Sequence, residues 1–198
     1  MEKLVLRLTN VTDAGLACLS EMTNLRYLDL QQTKITNNPF SIKKLHRMMN
    51  KLQYFNISRT RIPMIDYIHC GSDLHTLYLP DGITNSCLLC LPKTLHTLYA
   101  MSSEFTNDGL EQMATLTNLQ HLELSNAKIS DAGLAFLSGL TNLRYLSIDG
   151  IGDQLTNVGL DHLSGLIHLR HLDIGDTDIT EIQHLVAKYG RIGGIDSL

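Results

Sequence analysis

Three sets of residues in this 198-residue chain have types and spacings that could do chemistry. Cys87-Leu-Leu-Cys90, with His69, Cys70, His75 and His96 near it in sequence, has the composition of a zinc or thiol redox site. A structural zinc asks for four well-spaced ligands, and only one such pair exists. Asp173, Asp176 and Asp178 gather the oxygen ligands that calcium takes. No glycine-bearing binding loop of known spacing accompanies them, so a solvated acidic loop is the expectation. His75 and His96 are the second residues of twin Leu-His-Thr-Leu-Tyr segments, expected one above the other on adjacent strands. Two imidazoles without a carboxylate or thiol make a weak metal site. No nucleophile elbow, phosphate-binding glycine loop or zinc-protease helix is present. The residues therefore point to no enzyme, no catalytic group, no metal and no cofactor.

The elements that position these residues are repeats. Taking the first leucine of Leu-x-x-Leu-x-Leu as position 1, units start at Met1, Leu25, Leu52, Leu74, Leu95, Leu119, Leu143 and Leu169, with a step near 24 residues. The first six residues of a unit alternate like a strand, and its last third spaces apolar residues like a helix, as in Leu134, Leu137 and Leu140. Thr12 and Ser130 stand where a hydroxyl could cap a helix start, and Asp13 and Asp131 suit the positive end of its dipole. Asn24, Asn118 and Asn142 occupy the turn before the next strand. In this alignment Cys90 shares its position with Cys18 and Phe136, which predicts an apolar core place rather than a metal ligand. A unit this short cannot bury its apolar face alone, so the copies must stack. Parallel strands then line one side and helices the other, with right-handed connections. Units two to four are irregular: residues 37–45 enlarge the second, predicting a longer helix at 40–50, and Pro63-Met-Ile-Asp-Tyr67 replaces the usual helix opening in the third. The expected organisation is one domain over residues 1–198, with 181–198 as a terminal cover.

The pattern resembles the leucine-rich-repeat family over nearly the whole chain. Val11-Thr-Asp-Ala-Gly-Leu16 and Ile129-Ser-Asp-Ala-Gly-Leu134 are most similar to the cysteine-containing subclass of F-box substrate receptors and related bacterial proteins. Where that family usually has Asn or Cys, two residues before the conserved Ile, this chain has Thr9, Thr33, Thr60, Thr177 or Ala127. The resemblance implies an α/β fold, a right-handed horseshoe solenoid with a parallel concave sheet and convex helices. It further implies a non-catalytic protein-interaction module. The alternative it carries is an adaptor in ubiquitin transfer, or a bacterial effector acting in a host cell, with Lys43 to Arg61 as the second surface an adaptor needs.

Positions 3, 5 and 7 of each strand point away from the core, which makes their residues the candidate partner-binding surface. They are Tyr27, Asp29, Tyr54, Asn56, Tyr78, Tyr99, His121, Glu123, Tyr145, Asp149, His171 and Asp173. Five of the seven tyrosines fall there, and tyrosine offers a rigid contact area with a polar tip. Glu123, Asp149, Asp173 and Asp176 make the far end acidic, suited to a basic peptide. Residues 1–61 hold ten Lys/Arg against four Asp/Glu, and the remainder six against sixteen, so one end is near +6 and the other near −10. That balance favours a protein or peptide partner over nucleic acid. With no long apolar run, no membrane partner is expected either. Four scattered cysteines and a start lacking signal-peptide character point to the cytoplasm, or a host cytosol for an effector. The first strand has no polar cover, so the expectation is either a preceding segment or edge-to-edge self-association there.

Overall fold

The structure, a computed structural model, describes residues 1–19, 21–36, 38–62, 71–101, 104–180 and 192–193. Pro63 to Tyr67, His69, Cys70 and nearly all of the terminal cover lie outside the described residues, and so do the readings made of them. Among the described residues nine strands form one sheet in chain order: β1 (Lys3–Val5), β2 (Tyr27–Asp29), β3 (Tyr54–Asn56), β4 (Thr76–Tyr78), β5 (Thr97–Tyr99), β6 (His121–Glu123), β7 (Tyr145–Ser147), β8 (His171–Asp173) and β9 (Ile192–Gly193). Every neighbouring pair is parallel. From β1 to β8 the register never slips, with Lys3 opposite Tyr27 at one end and Tyr145 opposite His171 at the other. Equivalent residues of successive units consequently form columns.

Between strands the chain crosses the other side of the molecule in α1 (Asp13–Cys18), α2 (Pro39–Met49), α3 (Asn107–Met113), α4 (Asp131–Leu134) and α5 (Asn157–Asp161), with 3-10 turns at Asn85–Cys90, Ala135–Gly139 and His162–Gly165. The enlarged second unit carries α2, the longest of the described helices, where the insertion predicted one. The core is a stack of leucine layers. Leu25, Leu52, Leu74, Leu95, Leu119 and Leu143 at position 1 are sealed, and so are the position-4 residues Leu28, Phe55, Leu77, Leu98, Leu122 and Leu146. Leu134, Leu137 and Leu140 supply the helical stripe and are likewise buried. At roughly 1.5–3 kcal/mol per buried side chain, this continuous layer is the main stabilising term, and each unit completes it for its neighbour.

The helix openings differ from expectation in an informative way. Neither Thr12 nor Ser130 caps its own helix through a side-chain hydrogen bond, whereas Thr156 accepts from Val158 N–H at 3.2 Å. The Ser130 hydroxyl is instead engaged with the preceding unit. Asn107 Oδ1 accepts from the Ser130 N–H at 3.0 Å, and Asn107 Nδ2 donates to Ser130 Oγ at 2.9 Å. Asp131 makes the equivalent pair with Thr156, accepting its N–H at 2.8 Å and its hydroxyl at 2.7 Å. The same two-point clamp joins Asp13 to Thr36, Asn85 to Thr106 and Asn157 to Thr180. Asp and Asn serve alike because the Thr or Ser hydroxyl donates to a carboxylate and accepts from an amide.

This clamp explains the glycine of the Thr-Asp-x-Gly motif. A Cβ on Gly133 would lie 2.2 Å from Asn107 Oδ1, and one on Gly159 would lie 2.3 Å from Asp131 Oδ1. The glycine thus leaves room for the neighbouring unit's clamp. Two further links run between units: Asn118 Nδ2 donates to Lys93 O and Asn142 Nδ2 to Thr117 O, at 2.8 and 2.9 Å. Within units, Thr9, Thr33, Thr60 and Thr177 each donate to a carbonyl three residues back, for example Thr33 to Leu30 O and Thr60 to Ile57 O.

Gly133→Ala should force Asn107 out of its clamp and lower stability by about 1–3 kcal/mol. Gly139→Ala is the control, because a Cβ there meets nothing within 4 Å. Urea denaturation of both variants checks this, and equal midpoints would remove the clamp as the reason for the glycine.

Candidate partner-binding face

The constant register lifts the residues at positions 3 and 5 onto the outer face of the sheet, and there the rings close into one continuous stack. Lys3 Nζ sits 4.5 Å from the Tyr27 ring centroid, and Tyr27 stacks on Tyr54 at 4.0 Å. Tyr54 meets Tyr78 at 5.6 Å, Tyr78 meets Tyr99 at 4.0 Å and Tyr99 meets His121 at 4.7 Å. His121, Tyr145 and His171 finish the series at 4.0 and 4.5 Å. The row shifts columns twice. It leaves position 3 for position 5 at Tyr78, across a β3–β4 pairing that sets Tyr54 opposite Thr76, and returns at His121. Those two diagonal steps are the tilted contacts, with interplanar angles of 47° and 39°, while four of the in-column steps are parallel within 8°.

Each stacked pair contributes about 0.5–1.5 kcal/mol beyond area burial, so the row holds the fold as well as presenting a surface. Burial pushes the Tyr54 and Tyr78 phenols well above their ordinary range, and hydrogen bonds to neighbouring tyrosine side chains add to it. The Tyr145 phenol is also raised, by burial first and then by the charges of Glu123 and Asp173. His121 is pushed down, by burial and by the nearby His171. Its Nε2 is buried and, among the described residues, has no hydrogen-bond partner.

The short polar residues of position 5 behave otherwise. Asp29 and Asn56, expected to offer contact surface, are only 3% and 4% exposed. Each turns its oxygen onto its own strand exit: Asp29 Oδ1 accepts from Gln31 N–H, and Asn56 Oδ1 accepts from the Ser58 N–H and hydroxyl. A short side chain with a ready backbone donor two residues on closes an Asx turn, and the flanking tyrosines cover it. Asp173 closes the same turn onto Gly175 N–H but stays half-buried. Ser147 is buried too, donating to Asp149 and touching Ser125, which donates to Glu123. Glu123, Asp149 and Asp173 therefore surround the His121–Tyr145–His171 stack. Burial raises the Glu123 carboxyl, the Ser125 hydrogen bond opposes that, and Asp149 and Asp173 add to the rise.

Between the two halves of this face lies a hollow of about 370 Å³ lined by Gln31, Ser58, Arg59, Tyr78, Leu79, Asp81, Tyr99, Met101 and Glu123. Met101, at position 7, is 49% exposed and stands beside the stacked Tyr78 and Tyr99. Its column is legible in the sequence, although a methionine does not by itself mark a surface position.

The other chemical candidates separate in space or in environment. Cys87 is buried and Cys90 half-buried, while Cys18 is exposed and Phe136 is 36% exposed. The shared position of Cys90, Cys18 and Phe136 is thus not a core place. The 3-10 turn at Asn85–Cys90 seals Cys87 and Leu88 inside instead. His75 and His96 do stack, at 5.1 Å. Among the described residues no group of three or more His, Cys, Asp or Glu side chains is placed to hold a metal ion, Asp173, Asp176 and Asp178 included. No described helix is long and apolar enough to cross a membrane.

A family model described as "Leucine Rich repeat" matches residues 115–138 and 165–181. The crystal structure of internalin C2 from Listeria monocytogenes superposes with a TM-score of 0.73 at 24% identity, over 96% of this chain and 77% of that one. An internalin F structure from the same species gives 0.47 at 17% identity, over 100% of this chain and 81% of that one. At that identity the internalin C2 likeness speaks for the fold, and it agrees with the parallel ladder and the repeat columns. The matched segments and the parallel ladder together give this chain the fold of a leucine-rich-repeat solenoid.

Because His121 is pushed below its ordinary 6.5, the unfolded chain binds that proton more readily than the folded one. Its contribution to stability is present above pH 6.5 and lost as pH falls through the lower folded value. His121→Phe keeps a ring in the stack and removes the titration. The drop in unfolding midpoint between neutral and mildly acidic buffer should be smaller in this variant, and an unchanged drop would count against His121 as a source.

Proposed function

We propose that this chain is a protein- or peptide-recognition module that uses the outer face of its sheet. The observation that supports this reading most is the unbroken ring stack from Tyr27 to His171 opening beside the hollow at Tyr78, Tyr99 and Met101. Rings already held by their neighbours lose little freedom when a partner lands on them, so more of the contact energy appears as affinity. A central depression bordered by aromatic rings and a methionine suits an inserted partner side chain, the usual form of a binding hot spot. Charge supplies direction: Lys3 and Arg59 flank the early strands, while Glu123, Asp149 and Asp173 flank the late ones. A partner with a basic segment would lie toward β6–β8, because like-charge placement in the opposite sense is disfavoured.

Truncating the tyrosines would disturb the fold as well as the surface, so the decisive variants leave the stack intact. Met101→Glu and Glu123→Lys should each weaken a partner isolated on the wild-type chain by more than about 1 kcal/mol. Ile167→Ser, in the turn that precedes β8 and 73% exposed, should leave binding unchanged. Titration by calorimetry, with melting curves for each variant, checks this. A partner that loses affinity only with Ile167→Ser places recognition elsewhere.

A further inference from the structure

The strand-exit turns of the first three units form a second feature, independent of the aromatic face. They enclose a depression of about 580 Å³ lined by Leu8, Thr9, Asn10, Gln32, Thr33, Lys34, Arg59 and Arg61. Three of its side chains are cationic and none is acidic. We propose that this depression binds a small phosphate-class polyanion, held between Lys34, Arg59 and Arg61.

Three observations carry the proposal. First, among the described residues no ion pair joins these cations: the pairs there are Arg26 with Glu2 and Lys128 with Glu104. Lys128 is the telling comparison, because it holds the same repeat position as Lys34 and Arg61 yet is neutralised by Glu104 at 3.5 Å. Gathering three like charges without a counter-charge is unfavourable, and a bound anion relieves it.

Second, Arg59 stands where the fold prefers another residue. Position 8 is left-handed in six of the units, with φ of 61° at Leu8, 53° at Gln32, 55° at Arg59, 61° at Asn126, 69° at Gly150 and 50° at Asp176, while in the fourth unit the left-handed residue is Gly82 at position 9. Late units fill it with Asn, Gly and Asp, the residues that tolerate this region. A long arginine there has no structural advantage and is disfavoured relative to glycine. Its gain is the place of its charge, next to Lys34 and Arg61.

Third, size and chemistry agree. The volume lies in the range of small-ligand sites, about 300–1,000 Å³. Two guanidinium forks match phosphate oxygens bidentately, with a lysine as a point charge. Thr9, Asn10 and Gln32 are exposed at the rim and offer polar contacts. At the acidic end the corresponding turns carry Gly150, Gly152, Asp176 and Asp178, so the site belongs to one end of the solenoid only.

The test uses tripolyphosphate, with orthophosphate as the weaker probe, titrated calorimetrically into the full chain at low ionic strength. Tripolyphosphate should bind more tightly than orthophosphate and raise the melting temperature. The double variant Lys34→Gln/Arg61→Gln should weaken it at least about tenfold, whereas Lys51→Gln, in the same basic half but outside the depression, should not. Arg59→Gly should separate the two roles of its position, melting no lower than wild type while losing affinity to a similar extent. Equal losses with Lys51→Gln would mean general attraction to a basic end and would overturn the site, as would an unaltered titration for Arg59→Gly. Arg59 also borders the sheet-face hollow, so Lys34 and Arg61, which do not line that hollow, keep the result apart from partner recognition.

Discussion

The spacing of a parallel β-ladder, about 4.8 Å between strands, is the constraint on which everything else in this chain depends. A unit of some two dozen residues cannot enclose its own leucines, so each side of its core must be closed by the next unit. Once the register is fixed, every chemical type recurs at that spacing. Leucines at positions 1 and 4 seal into continuous layers. Aromatic rings come near enough to stack at 4.0 Å. A single Asp or Asn side chain spans from one helix start to the next and ties down both its backbone and its hydroxyl. These are one repeat distance expressed in three kinds of interaction.

The same constraint makes structure and function compete for the outer face. Rings that would serve a partner also brace one another, and burial has already shifted the protonation of Tyr54, Tyr78 and His121. Small polar residues between the large rings are drawn into Asx turns at the strand exits and lose their access to solvent. What remains for recognition is the ring edges, the hollow beside Tyr78 and Tyr99, and the charged groups toward either end. Specificity on such a scaffold comes from breaks in the regular columns. The row shifts between positions 3 and 5 at Tyr78 and again at His121, and Met101 occupies the gap this leaves.

Much of the architecture was legible because it depends on period alone. The repeat spacing located the strands, the leucine layers and the longer α2, and the column alignment assembled Tyr27, Tyr54, Tyr78, Tyr99, His121, Tyr145 and His171 on one face. Where the reading erred, distance along the chain was a poor guide to surroundings. Asp29 and Asn56 were in the expected columns, yet their exposure depended on neighbouring rings and on a backbone donor two residues later. Thr12 and Ser130 stood at helix starts, but the Ser130 hydroxyl found a better partner in the unit before. Cys90 aligned with two apolar positions that are themselves open to solvent.

The amino-acid sequence by itself determined which residues share a column, because strand spacing and side-chain alternation are constants of the polypeptide. It also determined that the ends carry opposite charge, since that is a matter of counting. Only the tertiary structure decided how neighbouring columns lean on each other: the diagonal steps of the ring stack, the Asx clamp that explains the motif's glycine, and the meeting of Lys34, Arg59 and Arg61 across two turns. Those contacts depend on side-chain torsions and left-handed backbone turns. Each is set jointly by two or three units, and no single repeat contains them.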